Sequence, residues 1–273
     1  MNVLFLPEYP DKEFYTIVAI FMRLGYFATR DPNAPHDFAM SWQDVTWQEP
    51  NPVLERIART LPVVNLRCRD ISKRRVESVF SRVFGYSSFI DPTVSHGRCV
   101  KKFDRNASGG YVVETPVEPG EDDGEFVFQK LLDSSQGTFM VEYRVPVVFG
   151  CIPVVYTEYK EIPSDRIKTR KQGIELTETS EVFSAGEIRG ILEFCDRLGL
   201  DFGELDIIRA NDDGRIYIID ANKTPGGFGM FNKVNWAPEQ RQQAIERLAA
   251  AFNRGIRERI RVAGNQRSGE SPG

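Results

Sequence analysis

The stretch from Gly203 to Asn222 constrains the fold more than any other part of the sequence. Two runs rich in β-forming residues flank Asp212-Asp213-Gly214. A glycine at the end of such a short loop is typical of a three-residue hairpin with a bulge. The loop therefore predicts a β-hairpin over 203–222 in which Asn211 pairs with Arg215.

The same register brings three oxygen-bearing side chains together. It places Asp206 opposite Asp220, and the alternation of side chains along a strand puts Asn222 on the same face as Asp220. Directly opposed carboxylates repel each other, so a cation is expected to offset them, and two carboxylates with an amide oxygen suit Mg²⁺. Two alternatives stay open: a solvated hairpin with incidental acids, and an Asn222 that only caps the turn before Pro225.

The first 69 residues predict a small parallel α/β layer. Apolar runs at 3–6, 38–40 and 62–66 alternate with segments of helical periodicity, an order typical of parallel strands joined by helices. The turn after the first strand, Pro7-Glu8-Tyr9-Pro10, has no GxGxxG pattern, which argues against a dinucleotide site there.

From residue 70 onward the pattern changes to helices mixed with antiparallel strands. Ser184 and Glu187 form a capping box that opens one helix, and Pro238 opens the last one. The other predicted elements are a helix at 70–84, strands at 98–103, 111–115 and 126–132, and a hairpin at 138–159. Residues 263–273 are predicted to form a disordered tail, and the acidic residues 121–123 a solvated loop.

Composition removes several classes of function. Lys and Arg number 35 and Asp and Glu 39, a net charge of −4 with no basic stripe, so neither nucleic acid nor a membrane is an expected partner. Two histidines exclude a His-rich zinc site. The longest apolar run, 145–156, contains two prolines, and the first residues lack a signal-peptide pattern. Four cysteines without CxxC spacing are expected to be reduced thiols, which together with the preceding points predicts a cytoplasmic protein.

The segment Asp206…Asp220-Ala-Asn222-Lys-Thr-Pro225 resembles the C-terminal metal motif of the ATP-grasp superfamily, although members usually have Glu where Asp220 stands. The resemblance covers roughly residues 70–260. It implies an α+β ATP-grasp fold with a small N-terminal α/β domain. The implied parts are an N-terminal domain at 1–69 and an ATP-grasp domain at 70–262, with a lid at about 86–128 and a metal-binding part at about 129–262, before the tail.

The resemblance also implies a role for individual residues. Arg144 and Lys101 would act on the phosphates as the catalytic pair, whereas Lys102 would point to the opposite face. The implied nucleotide contacts are Lys73, Lys101, Ser108, Gly109, Gln129, Lys130, Leu132 and Arg144, and the implied Mg²⁺ ligands are Asp206, Asp220 and Asn222. Lys168 or Arg170 would reach phosphate from a loop as an alternative, whereas Trp42 and Asp44 are expected in core packing and a turn.

Three positions depart from the family pattern. Gln129 stands where the hinge strand usually opens with Glu, and it still accepts one hydrogen bond from an adenine amine. Gln136 stands where a carboxylate usually holds the ribose. Glu204 stands where many members carry Arg, and the period of two puts Glu204 on the face of Asp206, where it is a possible site residue.

The implied function is an ATP- and Mg²⁺-dependent ligase. A substrate carboxylate attacks the γ-phosphate of ATP to give an acyl phosphate, which an amine or a thiol then opens. The expected partners are a small carboxylic acid and an amine or a peptide. Two alternatives stay open: a kinase-like phosphotransferase, and a nucleotide-binding module without catalysis. The mass added to the product distinguishes the three. The identity of the acid and of the amine is not readable from the loops that select them.

Overall fold

The computed structural model describes residues 1–117, 124–162, 171–227 and 236–269. The solvated loop predicted at 121–123, and Lys168 and Arg170, lie outside these ranges.

A four-stranded parallel sheet forms the N-terminal layer, as the alternating apolar runs predict. Its order is β2-β1-β3-β4, with β1 at Asn2–Pro7, β2 at Phe27–Thr29, β3 at Phe38–Trp42 and β4 at Val63–Val64. Helix α1 (Thr16–Leu24) ends at Gly25, whose φ of 65° is the left-handed conformation that glycine adopts at little cost. Helix α2 is Pro52–Ile57.

A second, three-stranded antiparallel sheet follows helix α3 (Lys73–Phe84). Its order is β6-β5-β7, with β5 at Gly97–Phe103, β6 at Gly110–Thr115 and β7 at Phe126–Lys130. This small sheet forms one wall of the candidate site.

A six-stranded antiparallel sheet forms the other wall. Its strands are β8 (Ser135–Gln136), β9 (Phe139–Val148), β10 (Val155–Glu161), β11 (Lys171–Thr177), β12 (Phe202–Arg209) and β13 (Ile216–Asn222). The order is β11-β10-β9-β12-β13, and β8 pairs with β9. Central strands β9 and β12 therefore carry their side chains to the middle of the sheet.

Helices α4 (Thr179–Val182), α5 (Ala185–Leu198) and α6 (Pro238–Gly269) complete the fold. The capping box of Ser184 and Glu187 opens α5 as predicted. Helices α3 and α5 pack against β9, β12 and β13 in one core, and α6 packs with the N-terminal layer in another. The large sheet thus has one face covered by α3 and α5. On its opposite face, Val148, Tyr156 and Phe202 pack with α6, and the rest of that face carries polar groups.

Helix α6 corrects the prediction of a disordered tail from residue 263. It continues to Gly269, and residues 270–273 lie outside the described ranges. Extending an existing helix needs no new nucleation, so the helix can continue through the polar sequence that follows residue 263.

Two further expectations concern composition. Over the ranges that the structure covers, no helix is long and apolar enough to cross a membrane. All four cysteines are free thiols, as predicted: Cys68, Cys99 and Cys195 are buried and Cys151 is partly buried.

Candidate functional site

The hairpin of β12 and β13 pairs Asp206 with Asp220, as the sequence predicts, but by a different route. Arg215 pairs with Ala210 rather than with Asn211, so the loop is one residue longer than expected. The Ala210 N–H donates to the Arg215 carbonyl oxygen at 2.9 Å. A bulge between Asp206 and Ile207 leaves Ile219 without a cross-strand partner. This extra residue shifts the register back, so that the two carboxylates face each other.

Arg144 on β9 lies beside this pair because β9 neighbours β12, with Arg144 directly opposite Asp206. Its guanidinium lies 2.9 Å from Glu204 Oε1, 3.3 Å from Glu158 Oε1 and 3.4 Å from Asp206 Oδ1. Burial alone would lower the pKa of Arg144, but the surrounding carboxylates raise it well above its usual value. Arg144 is therefore a fixed positive charge in the middle of the acidic face.

Glu204, at the position where many family members carry Arg, is part of the same group. Its side chain is 3% exposed and contacts Arg144. Burial raises the pKa of Glu204 to about 7, although the charge of Arg144 opposes the shift. Glu204 on β12 thus forms a buried ion pair with Arg144 on the neighbouring strand β9.

Lys73 contacts the other carboxylate. It is the first residue of α3, its side chain is 2% exposed, and Nζ lies 3.3 Å from Asp220 Oδ2. Burial raises the pKa of Asp220, whereas Lys73 lowers it. The predicted repulsion between Asp206 and Asp220 is therefore offset within the protein by Arg144 and Lys73.

Asn222 occupies the turn-capping arrangement that the sequence left open. Its Oδ1 accepts the Thr224 backbone N–H at 2.9 Å and the Thr224 hydroxyl at 3.3 Å. In the parts of the chain that are described, no group of three or more Asp, Glu, His and Cys side chains is arranged to hold a metal ion. A metal role for Asn222 with Asp206 and Asp220 stays a prediction.

The expected orientation of the two lysines on β5 is wrong by one residue. Lys101 Nζ lies over the rings of Phe126 and Phe128, at 4.3 and 5.4 Å from their centroids. Lys102 instead lines the cleft with Val100, because alternate residues of β5 share a face. Burial and the nearby Lys73 lower the pKa of Lys102 to about 8, and the site carboxylates oppose that shift.

Gly110 makes room for Lys102. It pairs with Lys102 across β5 and β6, and a Cβ at this position would lie 2.6 Å from Lys102 Cγ and 2.9 Å from the Lys101 carbonyl oxygen. Ser108, in the same loop, donates its hydroxyl to the carbonyl oxygens of Phe103 and Arg105. Ser108 thus bonds to the backbone of its own loop. The contact of this loop with phosphate stays a prediction.

A cavity of about 350 Å³ lies between the small sheet and the large sheet, a volume in the range of small-molecule sites. Side chains from both sheets line it: Arg98, Val100, Lys102, Val112, Gln129, Lys130, Leu131, Leu132, Asp133, Ser135, Met140, Glu142, Lys160, Ile162, Ile208 and Ile219. Among them are Gln129, Lys130 and Leu132, which the resemblance assigns to the nucleotide. Eight of these sixteen side chains are apolar, and Lys102, Glu142 and Lys160 give the cavity a charged end.

The charged end contains residues that the sequence reasoning missed. Lys160 Nζ lies 2.6 Å from Glu142 Oε1 and 3.6 Å from Glu158 Oε2, and Lys171 donates to Glu158. Burial lowers the pKa of Lys160, but the carboxylates outweigh it and the net shift is upward. Charged residues alternate along β9 and β10. Glu142 lies opposite Glu158, and Arg144 lies opposite Tyr156. This alternation is the signal that would have found the group.

Trp42 and Asp44 lie outside this cavity, as the sequence predicts. Trp42 is 1% exposed and packs edge-on against Phe5 and Tyr15. Asp44 accepts hydrogen bonds from the hydroxyls of Tyr15 and Thr224.

No family model matches the chain, and no curated protein matches it. Solved structures do match. The chain is similar to the ATP-grasp ligase PsnB complexed with minimal precursor, Mg and ADP, with a TM-score of 0.57 and 15% identity over 92% of this chain and 96% of that chain. It is also similar to D-alanine–D-alanine ligase from Bacillus anthracis, with a TM-score of 0.54 and 14% identity over 97% of this chain and 98% of that chain. That ligase complexed with ATP gives the same values.

The chain thus has a parallel α/β layer, a small antiparallel sheet and a large antiparallel sheet, with a cleft between the two antiparallel sheets. Together with the likenesses, this arrangement shows that the chain has the α+β ATP-grasp fold, as the motif at 206–225 implies.

Proposed function

We propose that the protein is an ATP- and Mg²⁺-dependent ligase that activates a substrate carboxylate as an acyl phosphate and couples it to an amine. The observation that carries the proposal is the placement of Asp206, Asp220 and Arg144 on the sheet face that borders the cleft, together with Lys102 on the opposite wall. Structural neighbours with this fold are ligases, one complexed with a minimal precursor, Mg and ADP and one complexed with ATP.

The cavity suits an adenine nucleotide. Its apolar side chains suit a planar base, and Gln129 in its wall has a buried Oε1 that accepts no hydrogen bond from any described residue. An adenine amine would supply the missing donor. The charged end, with Lys102 and Lys160, would then receive the phosphates.

Asp206 and Asp220 fit Mg²⁺ because they are opposed carboxylates on one face, and Mg²⁺ prefers few protein oxygens and several water or phosphate oxygens. Asn222 would add a neutral oxygen. When bound, the ion would offset the charge of the phosphates. Lys73, which now contacts Asp220, would then be free to contact a phosphate oxygen. Arg144 would stay paired with Glu204 and Glu158 and would act through its positive charge.

The chain's own residues position and neutralise the reactants. A carboxylate oxygen of the first substrate attacks the γ-phosphorus, and the bond to ADP breaks. The amine then attacks the acyl carbon, inorganic phosphate leaves, and the amine nitrogen loses a proton. Arg144 and Lys102 stabilise the charge that passes through the phosphoryl group, the contribution that phosphoryl transfer requires of a protein. Free cysteines fit a reducing compartment such as the cytoplasm, where we place this reaction.

The test is the mass of the product. The protein is incubated with ATP, Mg²⁺ and a panel of amino acids, dipeptides and small carboxylic acids. We expect ADP together with a product that is one water lighter than the sum of an acid and an amine. When the acid carries oxygen-18 in its carboxylate, one labelled oxygen should appear in the inorganic phosphate.

Lys102→Ala should lose product formation. The matched control is Lys101→Ala, which should retain it. A product heavier by one phosphate would replace the proposal with a kinase. Nucleotide binding without turnover of any member of the panel would favour a binding module.

A further inference from the structure

A short relay of hydrogen bonds holds the Gln129 amide from outside the cavity. Glu77 on α3 is 6% exposed, and its carboxylate accepts the Ser88 backbone N–H at 3.0 Å and the Ser88 hydroxyl at 2.6 Å. Ser88 Oγ in turn accepts a hydrogen bond from Gln129 Nε2 at 3.1 Å. Ser88 is fully buried and Gln129 is 4% exposed, so water does not compete with these bonds.

The relay has a fixed direction. A carboxylate has no proton to donate, so the Ser88 hydroxyl gives its proton to Glu77. Ser88 Oγ then only accepts from Gln129, which requires the NH₂ group of the amide to face Ser88. The amide oxygen is left on the other side, and among the described residues it has no hydrogen-bond partner. Gln129 lines the cavity, so its unpaired amide oxygen is an acceptor for a donor bound there.

We propose that Glu77 and Ser88 are positioning residues that make this cavity select a 6-amino purine over a 6-oxo purine. The inference rests on the proposed function, in which the cavity receives a nucleotide. The 6-amino group of adenine donates a hydrogen bond to Gln129 Oε1. The 6-oxo group of hypoxanthine or guanine would place a second acceptor against it and leave both without a donor, which is costly in a buried site.

The experiment compares ATP with inosine triphosphate, which carries oxygen in place of the 6-amino group. Dissociation constants are measured by calorimetry on the full chain in the presence of Mg²⁺. The wild-type protein is expected to bind ATP about tenfold or more tightly than inosine triphosphate, as sites that hydrogen-bond a specific group discriminate against its absence.

Glu77→Gln tests the direction of the relay. The new amide donates to Ser88, which frees the Ser88 proton for Gln129 Oε1 and turns the Gln129 NH₂ group into the cavity. The preference for ATP should fall and move toward inosine triphosphate. Ser88→Ala leaves the amide without a fixed direction, so the ratio should move toward one. The control Glu193→Gln, on the exposed face of α5, should keep the wild-type ratio.

Each outcome decides a separate point. Equal binding of both nucleotides by the wild-type protein would overturn the inference and leave the proposed function standing. A wild-type ratio in both Glu77→Gln and Ser88→Ala would also overturn it. If Glu77→Gln does not fold, Ser88→Ala carries the same comparison. Binding of neither nucleotide would overturn the proposed function and the inference together.

Discussion

One residue of register decides which lysine of β5 faces the cleft. Lys101 and Lys102 are chemically equivalent, and the sequence alone favoured the wrong one. The neighbours settle it, because Val100 lines the same wall as Lys102, whereas Phe126 and Phe128 cover Lys101 on the other face. The type of residue at this site was predictable, but the direction of its side chain depended on the strand's partners.

Lys102→Ala should therefore weaken the binding of Mg²⁺–ATP by about tenfold or more, since a charge-assisted contact with phosphate would be lost. Lys101→Ala should bind nearly as tightly as wild type. Calorimetric titration of both variants checks this, and a greater loss in Lys101→Ala would show that phosphate is bound on the other face of the small sheet.

Arg144 should matter for stability as well as for binding. Glu158 and Glu204 are fully or nearly fully buried and both contact its guanidinium, and Glu158 also contacts Lys160 and Lys171. Arg144→Ala should lower the free energy of unfolding by about 3–5 kcal/mol, the range typical of breaking a buried ion pair from one side. Arg144→Lys keeps the charge but not the forked geometry and should lose less.

Urea unfolding measures these differences. The control is Arg197→Ala, which removes an exposed ion pair with Glu193 and should unfold near the wild-type urea concentration. If Arg144→Ala were as stable as this control, the buried carboxylates would have to be neutral without the arginine.

At the scale of elements, Asn65 joins the open end of the carboxylate hairpin to the N-terminal layer. Its Nδ2 donates to the carbonyl oxygens of Phe202 and Lys223, at 2.7 and 3.4 Å. Its Oδ1 accepts the N–H groups of Asp201 and Phe202 at 2.9 and 3.0 Å. Phe202 begins β12, and Lys223 directly follows β13. One side chain thus sets the spacing of the two strands that carry Asp206 and Asp220.

Asn65→Asp keeps the Oδ1 acceptor and removes the Nδ2 donor. The carbonyl oxygens of Phe202 and Lys223 then lose their hydrogen bonds to this side chain. We expect a lower melting temperature and a higher Mg²⁺ concentration for half-maximal stabilisation by ATP, because the strand ends separate. Asn51→Ala removes the N-cap of α2, so it should lower the melting temperature by a comparable amount and leave the Mg²⁺ midpoint unchanged. Equal Mg²⁺ midpoints in the two variants would limit Asn65 to a structural role.

Elements were more predictable from the sequence than their ends and pairings. Helix α1 ended where Gly25 predicted, and α5 began at its capping box, because both signals are local. The hairpin loop was predicted one residue out, and the bulge at Ile219 compensated for it. A bulge depends on packing against neighbouring strands, so no local sequence pattern predicted it. The length of α6 was missed because the helix continues through polar residues.

At the scale of the whole molecule, the order of motifs along the chain predicted the ATP-grasp fold, since each motif resembles a part that the family places in that order. The balance of charge in the cleft was not predictable, because it comes from seven different elements. Its acids are Glu142, Glu158, Glu204, Asp206 and Asp220, and its bases are Lys73, Lys102, Arg144, Lys160 and Lys171. A triphosphate alone would add negative charge to this balanced set.

The proposed Mg²⁺ site at Asp206 and Asp220 is tested by the dependence of nucleotide binding on a divalent cation. The melting temperature of the full chain is measured with ATP and Mg²⁺ and with ATP and EDTA, for the wild-type protein and for Asp220→Asn. We expect clear stabilisation of the wild type by ATP only with Mg²⁺, and a higher Mg²⁺ requirement in Asp220→Asn, since one of the two proposed carboxylate ligands is lost. Equal stabilisation of the wild type by ATP in EDTA would contradict the assignment of the metal to Asp206 and Asp220.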